Sequence, residues 1–515
     1  MNNLRYTSIF VIGGVGLIHF PLQASQPSEI KHQSHIILIM TDQQRADALG
    51  CAGNEAVISP NLDRLASEGH LFSNAYSASP SSTPARAGML TGMSPWHHGL
   101  LGYGQVAEHY RYEMPQMLKD LGYHTLGIGK MHWHPQNALH GFEATLLDES
   151  GRVESPYFMS DYRKWFNTQA FGLNPDSTGV EWNAHEAKAY ALPEHLHPTV
   201  WTADRAVEAI RGYSSDQPLF LKISFARPHS PYDPPQRVVD KYAEREIPAP
   251  AVGEWCKDMP LDTHPENKPE AATGNFGSEY ARNSRKYYYA SITFIDEQIG
   301  RIIDELKRKG MYDNALICFV SDHGDMLGDH HLWRKTYAYE GSSAIPFIVK
   351  LPREMENGLK AEKVIEAPVE LRDLLPTFLA INEEKIPEDM DGLSLLPLFH
   401  DKNAKWRKYI DIEHSTAYFA DNYWCALTDG KIKYIWFFRT GKEQLFNLKA
   451  DPQELHDLSG ESSWQEKLDG MRKVMVEHLR ERGDEWVKDD KLVIRKTNLL
   501  YSPNYPKNKE LTKKK

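Results

Sequence analysis

Short apolar runs alternate with one long helical pattern before residue 350. Each run is followed by a polar, turn-like cluster, which is typical of a strand buried on both faces. The runs are residues 35–40, 125–129, 219–225 and 315–320. Between the last two, isoleucines recur at helical spacing over residues 287–307. This alternation predicts an α/β fold with a large, mostly parallel sheet sandwiched by helices, and it places a ligand site beyond the carboxyl ends of the strands.

The pattern changes near residue 404. Two aromatic-rich runs, residues 423–427 and 431–437, flank a turn that contains Asp429 and Gly430, which indicates a β-hairpin. A helical pattern follows near residues 464–482. We therefore predict a smaller C-terminal α+β subdomain with an antiparallel sheet over residues 405–515, after a larger α/β domain over residues 25–404.

The N-terminus has the pattern of a targeting segment. Arg5 precedes an apolar run over residues 9–18, and small residues surround Ala24. These features match a secretory signal peptide over residues 1–24, cleaved near Ala24. The run is too short to span a bilayer comfortably, so export is favoured over a membrane anchor. We expect a periplasmic or secreted protein without stable membrane insertion.

Composition narrows the range of partners. The 515 residues include 70 acidic and 59 basic side chains, a net charge of −11 that repels polyphosphate. We therefore expect no nucleic-acid partner. The apolar fraction of 41% excludes a disordered chain. The four cysteines lie far apart and form neither a zinc signature nor a disulfide framework.

The most informative stretch is residues 79–92, SPSSTPARAGMLTG. Its first residues alone are equally typical of a loop and a helix N-cap. The complete string resembles the signature of the type I, formylglycine-dependent sulfatases of the alkaline-phosphatase-like superfamily, in which a cysteine or serine is followed by Pro, Arg and Leu-Thr-Gly. The resemblance implies that residues 25–404 form the catalytic domain and that Ser82 is oxidised to formylglycine. Serine at this position implies a bacterial host and a serine-type maturation enzyme as partner.

The resemblance also implies the chemistry at residue 82. One hydroxyl of the hydrated aldehyde attacks sulfur and forms a covalent sulfo-enzyme, and the other hydroxyl collapses to expel sulfate. Plain serine cannot perform the second step, which explains why the oxidation is needed. A helix N-terminus and the catalytic residue Arg86 would favour the anionic hydrate and the sulfate oxygens.

Two strand ends carry residues suited to a metal ion. Asp42 and Gln43 follow the first predicted strand, and Asp322 and His323 follow the fourth. Each pair taken alone is more often a turn or cap. Oxygen ligands plus an imidazole at neighbouring strand ends suit one divalent ion. Together with Ser82, these four residues resemble the calcium site of the family, which implies one Ca²⁺ ion held by all five.

Three further segments resemble sulfatase motifs. The Gly-Lys-Met-His segment implies that Lys130 binds sulfate and that His132 adjusts the proton on the formylglycine hydroxyl. The Pro-His-Ser-Pro segment implies that His229 protonates the departing alcohol as general acid. Lys335, in a Lys-Thr-Tyr-Ala-Tyr-Glu segment, is implied to bind sulfate as well. Taken alone, each segment is equally typical of a surface loop or a solvated basic face.

We expect an exported sulfatase that hydrolyses O-sulfate esters of carbohydrates, such as glycosaminoglycan or mucin-type glycans. Side chains suited to binding a sulfated saccharide occur between residues 140 and 215, namely Trp165, Trp182, His185, His195, His197 and Trp201. The alternatives are an aryl or alkyl sulfatase, a phosphodiesterase or phosphonate hydrolase on the same fold, and a glycan-binding relative without catalysis. The complete set of site residues argues against the last, because a pure binder has no chemical need for them.

Overall fold

The computed structural model describes residues 33–152, 157–257, 270–356, 359 and 363–506. From Ser34 onward the chain forms one compact unit. The proposed signal peptide, residues 1–24, lies outside the described residues. It therefore stays a prediction, as does the domain boundary between residues 404 and 405.

Strands and α-helices alternate along much of the described chain. The strands are β1 (His35–Asp42), β2 (His70–Phe72), β3 (Ala75–Tyr76), β4 (His124–Gly129), β5 (Ala144–Leu147), β6 (Leu219–Pro228), β7 (Ala315–Ser321), β8 (Phe347–Lys350), β9 (Val364–Ile365), β10 (Val369–Glu370), β11 (Ile410–His414), β12 (Trp424–Thr428), β13 (Ile432–Phe437), β14 (Glu443–Asn447), β15 (Val487–Lys488) and β16 (Lys491–Leu492). The helices are α1 (Pro60–Glu68), α2 (Ser82–Thr91), α3 (Pro95–His98), α4 (Met114–Asp120), α5 (Asp161–Gln169), α6 (Pro198–Gly212), α7 (Gln236–Val239), α8 (Ser278–Arg308), α9 (Glu340–Ser343), α10 (Arg353–Glu356), α11 (Leu374–Ile381), α12 (Leu396–His400) and α13 (Gln465–Leu479). Within the described part of the chain, none of these helices has both the length and the apolar character that a membrane span requires.

The central sheet has eight strands in the order β5-β4-β6-β1-β7-β8-β2-β9. The first five strands in this order, from β5 to β7, are all parallel to one another. Among these eight described strands, only β8 runs in the opposite direction, and it is antiparallel to both of its neighbours, β7 and β2. The four strands predicted from apolar runs correspond to β1, β4, β6 and β7, so the mostly parallel sheet is confirmed.

Helices cover both faces of this sheet, as predicted. Successive residues of a strand point to opposite faces. Ile37 and Ile39 of β1 accordingly pack in one apolar cluster with α6 and α8, whereas Ile36 and Leu38 pack in another with α2 and α11. Residues 36–40 are fully buried, which explains why each of these five positions of β1 is apolar.

Helix α8 begins at Ser278, well before the predicted start near residue 287. The apolar periodicity covers only the part that packs on the sheet. The first turns are polar, and buried Arg285 donates hydrogen bonds there to the Leu327 carbonyl and to Asp329. A helix start held by polar tertiary contacts leaves no apolar stripe in the sequence.

The C-terminal region forms a separate antiparallel sheet in the order β11-β12-β13-β14. The predicted hairpin is present, with Thr428 opposite Lys433, and Gly430 takes the left-handed conformation (φ 79°) that its turn requires. One face of this sheet packs on α13, and the other packs against Tyr76, Met326 and neighbouring aromatic residues. The sheet therefore shares an apolar core with the segment that precedes α2.

Candidate active site

Two adjacent strand ends bring three metal-ligating side chains together. Asp42 ends β1, and Asp322 and His323 follow β7, which pairs with β1 in parallel. All three side chains are fully buried. One ligand atom from each lies within 4.8 Å of the others. The carboxyl edge of the sheet thus forms the base of the site, as the sequence predicts.

Ser82 is the first residue of α2 and lies at this base. Its Oγ is 3.1 Å from Nε2 of His323 and 3.4 Å from Oδ2 of Asp42. The residue is fully buried. The start of a helix carries unpaired backbone N–H groups and a partial positive charge, which suit an anion bound at residue 82.

Arg86 lies one turn later on α2 and joins the two strand ends. It donates from Nε to Asp322 Oδ2 at 2.9 Å and from Nη2 to Asp42 Oδ2 at 3.0 Å. Nη1 donates to the Lys130 carbonyl at 2.6 Å and to Ser224 Oγ at 3.0 Å. The guanidinium is fully buried and most of its donors have protein acceptors. Its main effect is therefore to orient the two carboxylates.

Asp42 carries a buried oxygen that suits a metal ion. Its Oδ2 accepts from Arg86 and from Lys130 Nζ, the latter at 2.8 Å. Its Oδ1 is buried without a hydrogen-bond partner among the described residues. Burial alone would raise the pKa of Asp42, but the charges of Lys130 and Arg86 hold it well below its ordinary value. An ionised, unpartnered oxygen beside a second carboxylate and an imidazole fits a divalent cation.

Lys130 and His132 follow β4 on the other side of the site. The backbone N–H groups of Met131 and His132 donate to Glu149 Oε1 at 2.9 and 2.8 Å, which fixes this turn. Both ring nitrogens of His132 are buried without a partner among the described residues. Burial, with a smaller contribution from Arg152, lowers the pKa of His132 well below its ordinary value. The imidazole is thus neutral and free to exchange a proton with a bound ligand.

His229 lies just past β6, with its backbone N–H bonded to the Asp42 carbonyl at 2.9 Å. Its Nδ1 is 2.7 Å from the Ser230 carbonyl, an acceptor, so Nδ1 carries a proton and Nε2 is left for a ligand. Burial and the charge of Lys335 lower the pKa of His229 well below its ordinary value. Trp182 stacks on this imidazole, with ring centroids 5.6 Å apart and planes 22° from parallel.

Lys335 and Gln43 are held in one hydrogen-bonded chain. Lys335 Nζ donates to Gln43 Oε1 at 2.8 Å, and Gln43 Nε2 donates to Asp325. Burial lowers the pKa of Lys335 to about 7. The amide oxygen of Gln43 is therefore bonded to the lysine in this structure, and its role as a metal ligand stays a prediction.

The structure brings the predicted residues to one place, and it adds some that the sequence analysis missed. The predicted residues are Asp42, Gln43, Ser82, Arg86, Lys130, His132, His229, Asp322, His323 and Lys335. Asp325 accepts from Gln43, from the Tyr232 hydroxyl and from two backbone N–H groups. Its position three residues after Asp322 is the only signal in the sequence. Glu149 has no such signal.

Most of the side chains suggested for sugar binding lie elsewhere. Trp201 is buried in a small cluster with Tyr162. His185 stacks on Trp333, and His197 lies 3.5 Å from Asp233. Trp165 is partly buried and His195 is exposed. Among the six, Trp182 is the one in contact with a candidate catalytic residue in the described structure.

Comparisons with known proteins agree with this geometry. A protein-family model described as Sulfatase matches residues 34–382. The chain belongs to the sulfatase family. It is thus a sulfuric ester hydrolase. A second model, N-sulphoglucosamine sulphohydrolase, C-terminal, matches residues 328–481 of the sulfatase, which include Lys335 and the whole antiparallel sheet.

Individual relatives cover nearly the whole sulfatase. An arylsulfatase from Clostridium perfringens is 37% identical over 472 residues, which are 89% of this chain and 97% of the relative. An N-acetylglucosamine-6-O-sulfatase from Bacteroides thetaiotaomicron is 24% identical over 527 residues, 90% of this chain and 89% of the relative. The crystal structure of a phosphonate monoester hydrolase of Agrobacterium radiobacter has a TM-score of 0.74 at 22% identity, covering 90% of this chain and all of that one. The last comparison shows a shared fold.

Proposed function

We propose that this sulfatase hydrolyses O-sulfate esters of carbohydrates, of glycosaminoglycan or mucin type, through a formylglycine formed from Ser82. The observation that carries the carbohydrate assignment is a pair of exposed tyrosine rings beside the site, Tyr103 and Tyr418, which we call the aromatic mouth. Tyr103 is 57% exposed, and its ring lies edge-on to His132 at 5.8 Å. Tyr418 is 41% exposed, with the Arg334 guanidinium 5.1 Å from its ring centre.

These exposed rings suit a saccharide better than a small alkyl group. Pockets that hold ligands combine apolar and aromatic surface with a few placed polar groups. Here the rings of Tyr103 and Tyr418 lie close to residues that face the reaction centre. Arg334 directly precedes Lys335 and adds a positive charge beside the Tyr418 ring. A sulfated or uronate-containing sugar offers both a ring for stacking and an anion for this guanidinium.

Each side chain of the site has its own role in the proposed hydrolysis of the sulfate ester. The hydrated aldehyde at residue 82 would supply the nucleophilic oxygen and a second hydroxyl, whose deprotonation restores the aldehyde and releases sulfate. Lys130 and Lys335 bind the sulfate oxygens and offset their negative charge. The bound sulfate ester is an anion, which would favour the imidazolium form of His229. His229, protonated at Nε2 in that form, would deliver this proton to the alcohol oxygen as the sulfur–oxygen bond breaks. His132 takes the proton of the second hydroxyl.

The metal ion would be Ca²⁺, held by Asp42, Gln43, residue 82, Asp322 and His323. The support is the buried, unpartnered Oδ1 of Asp42 and the convergence of Asp322 and His323 on it. The ion would supply fixed positive charge at the base of the site. The residues present fit it because both carboxylates are oriented by Arg86 before any ion binds.

The test is release of free sulfate from a panel of sulfated monosaccharides and glycosaminoglycan fragments. The protein is produced with a serine-type maturation enzyme, and Ser82→Ala is the matched control because it removes only one oxygen. Release from sugars by the wild type and none by Ser82→Ala supports the proposal. Activity restricted to phosphodiesters, with formylglycine present at residue 82, contradicts it.

An aryl sulfate is the second candidate substrate, favoured by the 37% identity to an arylsulfatase. Adding 4-nitrophenyl sulfate to the same substrate panel distinguishes an aryl sulfate substrate from a sulfated sugar. A kcat/KM for the aryl ester above that for every sugar would assign the aromatic mouth to an aryl leaving group. The reverse order would assign it to a sugar.

Maturation and export complete the proposal. The serine-type maturation enzyme is the partner that would remove two hydrogen atoms from Ser82, which peptide mass measurement detects directly. Export to the periplasm or the medium is supported by the apolar run over residues 9–18. Cell fractionation and the N-terminal sequence of the mature protein test it.

A further inference from the structure

The loop before α2 is tied to the C-terminal sheet. The Glu413 backbone N–H donates to the Ala78 carbonyl at 2.9 Å, next to the end of β11. On the other side, the Thr336 N–H donates to the Pro80 carbonyl at 2.9 Å. The segment that leads to Ser82 is therefore held between β11 and the residue after Lys335.

A side-chain contact completes this attachment. His414, the last residue of β11, has its Nε2 2.8 Å from the Oγ of Ser81, the residue directly before Ser82. Both residues are buried, His414 with 1% of its surface exposed. The His414 Nδ1 bonds the Ser415 carbonyl, which only accepts, so Nδ1 carries the proton. Nε2 consequently accepts, and the Ser81 hydroxyl donates to it.

The side chain of Ser81 does not make the helix-capping hydrogen bond that is usual at its position. Ser81 occupies the N-cap position of α2 with extended backbone angles (φ −155°, ψ 155°). A capping serine normally accepts from the second or third N–H of the helix. The third residue of this helix is Pro84, which has no N–H. The orientation of Ser81 is thus set by His414, from a sheet that is distant in sequence.

We propose that His414 is a positioning residue, which acts through Ser81 to hold residue 82 in line for attack on sulfur. This inference rests on the proposed function. His414 does not touch the reacting atoms. It fixes the backbone of Ser81, whose carbonyl also accepts from the Ala85 N–H at 3.1 Å, so that both ends of the first turn of α2 are set. Small misplacements of a reacting group are costly to the rate.

The test compares wild type, His414→Ala, Ser81→Ala and the double variant on a sulfate ester that the wild type hydrolyses. Rates are divided by the formylglycine content of each protein, measured by mass. We expect each single substitution to lower kcat about 10-fold. We expect KM and inhibition by inorganic sulfate to change less than about 2-fold, and the double variant to match the singles because they remove one interaction.

A matched control separates positioning from general stability. His70 is also buried, at 5% exposed, but lies on β2, away from the site. His70→Ala should lower the melting temperature without lowering kcat. An unchanged kcat in His414→Ala, or kcat losses that multiply in the double variant, would overturn the proposal.

The same four proteins also give a measurement that needs no turnover. If His414 acts on Ser81, the shifts in urea midpoint caused by the two substitutions are not additive. Additive shifts in urea midpoint would show that the His414 and Ser81 side chains do not interact. A wild type that releases no sulfate from any ester would refute the proposed function alone, and the urea midpoints would still decide whether His414 holds Ser81.

Discussion

The Ser82 hydroxyl oxygen lies 3.1 Å from Nε2 of His323. The other ring nitrogen, Nδ1, is 2.9 Å from the Gly324 carbonyl, so it carries the proton and leaves a lone pair on Nε2. Burial lowers the pKa of His323, which keeps the ring neutral. A neutral imidazole aimed at residue 82 and at two carboxylates is the form that ligates a metal. The hydrogen bond from Nδ1 to the Gly324 carbonyl therefore leaves Nε2 in the form that a metal ligand requires.

Calcium should stabilise the protein through His323. A ligand that binds only the folded state contributes about 2.7 kcal/mol at 100 times its dissociation constant. We expect Ca²⁺ to raise the melting temperature of chelator-treated wild type. His323→Ala loses one ligand and should need at least about 10-fold more Ca²⁺ for the same rise. Thermal melts across a calcium titration measure this.

The control for this titration is His195→Ala, because His195 is exposed. It should follow the wild-type calcium curve. A His323→Ala curve that coincides with the wild type would remove His323 from the metal site. A wild type that shows no response to Ca²⁺ or to other divalent ions would remove the metal site altogether.

Arg86→Ala should be strongly destabilising. The substitution leaves Asp42 and Asp322 buried without the cation that bridges them. Breaking a buried ion pair by removing one partner costs about 3–5 kcal/mol. Urea unfolding in the presence of a chelator measures the free energy of unfolding. Arg64→Ala, an exposed arginine on α1, should change it by less than about 0.5 kcal/mol. Equal effects of the two substitutions would contradict the bridging role.

The strands and the candidate metal-ligating pairs are predictable because their signals are local. An apolar run that ends in a polar pair marks the carboxyl end of a buried strand, and the ends of parallel strands meet at one edge. Asp42 and Asp322 are therefore found from the sequence alone. The first turns of α8 are not, because polar contacts such as those of Arg285 have no periodicity.

The supporting contacts are not predictable because they join distant parts of the chain. Asp325 meets Gln43 across 282 residues, and His414 meets Ser81 across 333 residues. No local spacing encodes such pairs. Trp182 and Trp201 come from the same aromatic-rich region of the sequence. Trp201 is buried in a hydrophobic cluster, whereas Trp182 stacks on His229. Only the tertiary packing distinguishes the core residue from the site residue.

Gly129→Ala should damage both stability and activity. Gly129 has φ 91°, and a Cβ atom there would lie 2.0 Å from the Ser224 carbonyl oxygen. The end of β4 must then shift, and Lys130 moves with it. We expect a loss of about 1–3 kcal/mol in unfolding free energy and a lower kcat/KM.

Gly122→Ala is the matched control, because Gly122 has φ 93° but nothing within 4 Å of its Cβ position. An alanine at position 122 would have the same unfavourable positive φ as one at position 129, but its Cβ would not clash with any atom. Chemical unfolding and sulfate release are measured for both variants. If Gly122→Ala lowers kcat/KM as much as Gly129→Ala does, the close approach of Gly129 to Ser224 is not what positions Lys130.

A surface ion pair gives a stability contribution that depends on pH. His97 Nδ1 is 2.8 Å from Asp391 and Nε2 is 3.1 Å from Glu481. The hydrogen bond to Asp391, more than offsetting partial burial, raises the pKa of His97 to about 9. Because the folded-state pKa lies above the unfolded value of about 6.5, the contribution is complete below that value. It is lost as the pH rises through about 9.

His97→Ala should therefore destabilise the protein at acidic pH and have little effect above the folded-state pKa. The side chain is 34% exposed, so solvent screening limits the difference to about 1 kcal/mol. Urea midpoints of wild type and variant, measured across the interval from about pH 6 to about pH 10, give the profile. A wild-type advantage over His97→Ala that grows with pH would show that His97 is bound in its neutral form.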